Sequence, residues 1–198
     1  CYLNSGQTCT AFTRMLVPEA KYEEAKALAA EAVKGYAPAD PMSETSRLGP
    51  LSSAAQLERV RGYIKKGIEE GAELVAGGAD APEGVSGGYY VKPTVFGKVN
   101  PKSTIGQEEI FGPVLSIITY KDEADAIRIA NDTIYGLAAG VWTKDIGCAI
   151  RMSRALKAGT VWVNTYRAIS FMMPFGGMKQ SGLGRENGID AIKEFMET

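Results

Sequence analysis

Between Val114 and Asn164 strand-like apolar runs alternate with helix-like runs, separated by joints of only a few residues. Val114–Tyr120 reads as a buried strand. A helix begins at Asp122 and carries Ile127, Ala130 and Ile134, and residues 137–143 form a second strand. Asp145 then caps a helix carrying Ile146, Ala149, Ile150 and Leu156; Gly159 ends it, and residues 160–164 form a third strand. Strand–helix–strand repeats with short joints favour parallel strands linked by right-handed crossovers. The fold class this predicts is α/β, an open, mostly parallel twisted sheet with helical crossovers.

The first half of the chain follows the same grammar less regularly. Pro18 suits the first turn of a helix, Tyr22, Ala25, Ala29, Ala32 and Val33 recur at helical spacing, and Gly35 terminates it. Residues 36–51 are rich in Pro, Ser and Asp and read as a loop. Ser53 and Gln56 have capping-box spacing ahead of Leu57, Val60, Ile64 and Ile68, a helix that Gly71 closes. A short strand is expected over 72–76, a surface loop over 77–88, and an extended run interrupted by Pro93 over 89–96.

At 198 residues the chain can bury a sizeable core. Its net charge of −1, with basic residues interleaved among acids, makes no electrostatic case for nucleic acid or acidic lipid. No apolar run is long enough to span a bilayer. Cysteines at 1, 9 and 148 make neither a metal-ligand cluster nor an even disulfide framework, which points to a reducing compartment, the cytoplasm, and to no bound metal. The chain opens at Cys1 without an initiator methionine and reads as cut from a longer polypeptide. An N-terminal-nucleophile hydrolase is the sharper reading of that end, but such folds need mostly antiparallel sheets.

Three stretches could carry chemistry. Cys9 lies in Asn4-Ser5-Gly6-Gln7-Thr8-Cys9, where Gly6 permits close backbone approach and turn N–H groups could face an oxyanion. A cysteine nucleophile acts as a thiolate, commonly made by a histidine, and this chain has none; Cys–His hydrolases are excluded for the chain by itself. Glu108-Glu109-Ile110-Phe111-Gly112-Pro113 places two carboxylates at a strand mouth, where open α/β sheets hold ligands; a solvated acidic turn is the plainer alternative. The segment from Pro174 to Glu186 is dense in glycine, but it is neither a P-loop nor a dinucleotide fingerprint. It reads as backbone packed against a ligand or another domain, or as an irregular loop over the core.

Taken in order, these motifs resemble the aldehyde dehydrogenase superfamily along essentially the whole chain. Asn4-x-Gly6-Gln7-x-Cys9 with Arg14 is similar to the family's catalytic cysteine segment. Glu108-Glu109-Ile-Phe111-Gly-Pro, Tyr135-Gly136-Leu137, Thr160-Val-Trp-Val-Asn164 and Pro174-Phe175-Gly-Gly-x-Lys179-x-Ser181-Gly are similar to its later signatures.

The resemblance implies that Cys9 adds to an aldehyde carbonyl, that hydride passes to NAD or NADP, and that water releases the carboxylic acid from a thioacyl enzyme. It implies that Glu109 holds the nicotinamide ribose hydroxyls and Phe111 packs beside the nicotinamide. Tyr166, Arg167, Ile169 and Phe175 would contribute to a substrate tunnel. Arg167 would suit an anionic aldehyde such as a semialdehyde, or else stand as a solvent-facing arginine at the rim. The family also carries an upstream nucleotide-binding domain, with the glutamate that activates water and an asparagine amide for the oxyanion. No segment here corresponds to these, so residues 1–198 are expected to be an incomplete catalytic domain, inactive alone, from a dimeric or tetrameric enzyme. Two rival readings remain: a CoA-acylating enzyme of the same fold, and a stand-alone domain serving binding or assembly.

Overall fold

The computed structural model describes residues 1–85 and 87–197; Ser86, inside the expected 77–88 loop, and the terminal Thr198 lie outside the described residues. The chain divides into two units, Cys1–Asp122 and Glu123–Thr198.

The first unit is built on a four-stranded sheet. Its strands are β1 (Arg14–Pro18), β2 (Glu73–Ala76), β3 (Thr94–Gly97) and β4 (Val114–Tyr120), in the order β1-β4-β3-β2. β4 pairs in parallel with β1, in the register Met15 to Ile117, and with β3, in the register Val95 to Leu115. β2 closes the edge antiparallel to β3. Alternating side chains send Val95 and Phe96 to opposite faces of β3, so both faces need a cover. Helix α1 (Tyr22–Lys34) supplies one: Tyr22, Ala25 and Val33 pack with Val17, Val95 and Ile117 in a single buried cluster. Helix α2 (Ala54–Glu69) supplies the other, its Gly67 lying against the rings and methyls of Phe96 and Ile105. The short helix α3 (Thr104–Gln107) is tied to the end of α2 through Glu70, whose carboxylate accepts from the Thr104 N–H at 2.8 Å and its hydroxyl at 2.6 Å.

The second unit holds α4 (Glu123–Asn131), β5 (Tyr135–Gly136), β6 (Ala138–Val141), α5 (Ile146–Ala155), β7 (Thr160–Val163) and β8 (Met178–Lys179). β6 and β7 run parallel, from Ala138 opposite Thr160 to Val141 opposite Val163, with α5 as their crossover. β5 and β8 pair antiparallel. Asp145 caps α5 by accepting from the N–H groups of Gly147 at 2.7 Å and Cys148 at 3.2 Å. Among the described residues no helix is long and apolar enough to cross a membrane.

The α/β class is as the sequence predicts, and several boundaries differ for physical reasons. Pro18 ends β1 and leads into a single 3₁₀ turn, Glu19–Lys21, before α1 begins; its fixed φ serves the strand's exit as well as a helix's entry. The 89–96 run is strand only from Thr94, because Pro93 has no N–H for a ladder. α4 buries Ala126 and Ile129 and stops before Ile134, which is half exposed. The 137–143 strand is split: Leu137 separates β5 from β6, which pair with different partners. α5 ends at Ala155 rather than at Gly159, and Ile146 is 76 % exposed. Both edges of β4 are taken, one by β1 and the other by β3.

Candidate active site

The segment before Cys9 is contorted. Asn4, Ser5 and Gly6 have φ of 52°, 54° and 73°, three consecutive left-handed residues, two of which carry side chains. Such a run is strained and persists only when its surroundings over-determine it. They do so here. The Ser5 hydroxyl donates to the Gly49 carbonyl at 2.8 Å, and the Gln7 amide oxygen accepts from the Ser52 N–H at 2.9 Å. Asn4 Nδ2 donates to the Gln7 carbonyl at 2.9 Å, and the Gln7 N–H returns to the Asn4 carbonyl at 3.0 Å. Upstream, the buried Tyr2 hydroxyl donates to the Thr94 carbonyl at 3.1 Å. Cys9 follows as a free, exposed thiol between half-buried Thr8 and buried Thr10, in a turn closed by the Ala11 N–H on the Thr8 carbonyl at 2.9 Å.

Gly6 explains how this loop meets the acidic motif. A Cβ at that position would overlap the carbonyl of Gly112 and crowd the nitrogen of Pro113. The cysteine loop therefore lies backbone to backbone on the end of Glu108-Glu109-Ile110-Phe111-Gly112-Pro113, within the first unit. Ile110 is buried as an anchor, while Glu109 is exposed and Phe111, at φ 56°, is 36 % exposed. The two carboxylates are treated differently. Glu108 accepts from the Tyr63 hydroxyl at 2.7 Å, whereas the Glu109 carboxylate makes no hydrogen bond or ion pair among the described residues.

Helix α2 holds this segment by its main chain, which the sequence reading missed. Gln56 Nε2 donates to the carbonyls of Ile110 at 3.2 Å and Phe111 at 2.8 Å, and Arg59 Nη2 donates to the Glu109 carbonyl at 2.9 Å. The Ser53 half of the capping box forms, its hydroxyl accepting from the Gln56 N–H at 3.1 Å. Gln56 does not return the bond but spends its amide on the neighbouring loop. Gln56, Arg59 and Tyr63 follow one another at helical spacing, yet a polar helix face is usually read as solvated, so spacing alone gave no pointer.

In the second unit the 164–168 loop is pinned at both ends. Asn164, at φ 52°, accepts from the Thr143 N–H at 2.9 Å and donates to its carbonyl at 2.8 Å. The Trp162 indole donates to the Ala168 carbonyl at 2.8 Å, and half-buried Tyr166 stands edge-on to the same indole, centroids 5.7 Å apart. Between these pins Arg167 takes φ 59° and is exposed, as is Ile169. Phe175 is half buried and exchanges two 2.7 Å main-chain hydrogen bonds with Glu186. The glycine-dense segment packs within its own unit. Gly176 sits where a Cβ on Gly159 would overlap it, Ser181 Oγ accepts from the Gly136 N–H at 2.8 Å, and Lys179 Nζ donates to the carbonyls of Asn131 and Thr133.

An α/β framework thus carries an exposed thiol on a strained loop, whose backbone lies on the segment that bears the Glu109 carboxylate and the exposed Phe111 ring. The chain belongs to the aldehyde dehydrogenase family, whose model matches residues 1–198. It is 44 % identical over 198 residues to an aldehyde dehydrogenase of Paracoccus denitrificans, covering 99 % of this chain and 39 % of that protein. It is 45 % identical over 195 residues to a 3-succinoylsemialdehyde-pyridine dehydrogenase from a Pseudomonas species, covering 98 % of this chain and 41 % of that one. Among solved structures, a Mycobacterium tuberculosis aldehyde dehydrogenase complexed with NAD+ superposes with a TM-score of 0.94 at 48 % identity, over 98 % of this chain and 40 % of that one. A mutant of aldehyde dehydrogenase C from Pseudomonas syringae, with NAD+ and octanal, gives 0.95 at 43 % identity, over 99 % and 40 %. The chain thus spans about two fifths of the length of these relatives.

Proposed function

We propose that this chain is the cysteine-bearing catalytic domain of an NAD(P)-dependent aldehyde dehydrogenase that oxidises an aldehyde to a carboxylic acid. The observation that carries the reading is the seating of the Cys9 loop on the Glu108–Pro113 segment through Gly6. It ties an exposed nucleophile to two groups suited to a nicotinamide nucleotide. The residues fit that cofactor. Glu109 offers a carboxylate with no partner inside the chain to accept from ribose hydroxyls, and Phe111 offers an exposed ring face. The chemistry a bound nicotinamide supplies is that of a hydride acceptor. NAD is favoured by the two solved relatives that hold NAD+.

The chain's own part begins at Cys9. Its thiolate adds to the aldehyde carbon, and the oxyanion of the resulting thiohemiacetal takes a main-chain N–H at Cys9 itself. Once oxidised, the carbon is held on Sγ as a thioester, labile to water, and the acid leaves with the thiolate restored. Tyr166, Arg167, Ile169 and Phe175 are the residues of the second unit that we assign to recognition of the aldehyde. An exposed Arg167 on a pinned loop supports an anionic substrate, in keeping with the semialdehyde in the Pseudomonas relative's name. Activity requires the segments that the relatives have and residues 1–198 do not span, with a homodimer or homotetramer as the working form in the cytoplasm.

The test is made on the intact protein. With aldehyde and NAD, NADH and the carboxylic acid should appear together, and mass spectrometry of a rapidly quenched reaction should find an acyl adduct on Cys9. Cys9→Ala should abolish both. Undiminished turnover by that variant would refute the reading, and acyl-CoA as product would move the activity to the acylating class.

A further inference from the structure

Helix α2 touches both halves of the candidate site. Its leading loop holds the cysteine segment through Gly49 and Ser52, and its exposed face holds the cofactor segment through Gln56, Arg59 and Tyr63. Three successive carbonyls, those of Glu109, Ile110 and Phe111, are gripped by two side chains one helical turn apart. A third side chain a turn further on engages the Glu108 carboxylate. Arg59 is itself braced, its guanidinium 5.2 Å from the Tyr63 ring centroid and 3.2 Å from the hydroxyl.

This grip answers two questions about the segment. Phe111 is a bulky residue at φ 56°, a conformation that an unrestrained loop would relax. Gln56 binds the carbonyls of the peptides on both sides of it, which blocks that relaxation. Adjacent Glu108 and Glu109 would also compete for one cationic or hydroxyl-rich ligand. Tyr63 occupies the first, which leaves the second.

We propose that α2 is the positioning element of the cofactor segment: Gln56 and Tyr63 fix residues 108–111 so that Glu109 and Phe111, and not Glu108, are presented. The proposal deepens the reading given under Proposed function and rests on it for the ligand. Gln56 and Tyr63 act through the segment they hold, so their effect exists before any nucleotide binds.

The experiment compares wild type, Gln56→Met and Tyr63→Phe in the intact protein. Methionine keeps the length and helix preference of glutamine and removes only the donor; phenylalanine removes only the hydroxyl. Amide hydrogen exchange without nucleotide should quicken by about tenfold in peptides covering 108–113 in Gln56→Met, with exchange in β1 and β4 unchanged. NAD binding, followed by calorimetry, should weaken by about tenfold, the loss expected of roughly one hydrogen bond's worth of preorganisation. Tyr63→Phe should free Glu108 and weaken NAD binding, and Tyr63→Phe/Glu108→Gln, which removes the competing charge, should recover it. Unchanged exchange at 108–113 in Gln56→Met overturns the proposal, as does unchanged NAD affinity in both single variants. If wild type binds no nucleotide, the cofactor reading fails, and the exchange result alone decides whether α2 positions the segment.

Discussion

Gly6 is where a single atom decides the site. A methyl group there would collide with the Gly112 carbonyl, and φ 73° would strain any L-residue. Gly6→Ala should therefore destabilise the first unit by about 3 kcal/mol or more, and part the cysteine loop from the Phe111 segment; urea unfolding and Cys9 alkylation kinetics check both. Wild-type midpoints in that variant would remove the argument for backbone seating. Tyr22 shows a residue whose ionisation reports packing. Burial, then its hydrogen bond to Glu73 at 2.8 Å, pushes its pKa up to about 12 from 10.0. A group raised on folding stabilises the fold fully below its unfolded pKa and loses that contribution as pH climbs through the folded one. The α1–β2 contact should hold up to pH 10.0 and weaken from there towards about 12, with Tyr22→Phe losing this pH dependence; circular dichroism across that window is the measurement.

At the scale of elements, caps were legible where side chains act locally. Ser53 and Asp145 each bond N–H groups two or three residues ahead, a motif contained within a few residues of sequence. Ser53→Ala should lower stability by about 1 kcal/mol and Asp145→Ala by a similar amount, each measured by chemical denaturation. The Ser53 change has a second consequence, because α2 also carries Gln56: fraying its first turn should loosen residues 108–111, seen as faster exchange there. Boundaries set by long-range partners were not legible. Nothing local says that Leu137 interrupts a strand; the break exists because Gly136 pairs with Met178 and Ala138 with Thr160. The short β8 and the 3₁₀ stretch Ile189–Phe195 were likewise unforeseen, since neither has a periodic pattern.

For the whole molecule, the second unit leaves Phe171, Met172, Met173, Leu183, Ile189, Ile192, Phe195 and Met196 more than 60 % exposed. Apolar surface of that extent is seldom left in water. Residues 1–198 alone should self-associate in sedimentation at high concentration and form no NADH from aldehyde; a strict monomer, or turnover by the isolated chain, would contradict this. By itself the sequence determined the α/β class, the helices and their caps, and the ordered motifs that mark Cys9, Glu109 and Phe111 as candidates, because periodicity, capping and motif spacing are properties of neighbours along the chain. The family resemblance singled out Glu109, but nothing in the chemistry of two adjacent identical residues says why it and not Glu108, since they differ only in what surrounds them. The tertiary structure separated them, by bringing Tyr63 from 45 residues away onto Glu108 and leaving Glu109 free. It also decided that Gly6 faces Gly112 and that α2 grips the loop between Glu109 and Phe111. Such contacts join segments whose separation along the chain holds no record of their meeting, and only the packing of α2 on the sheet brings them together.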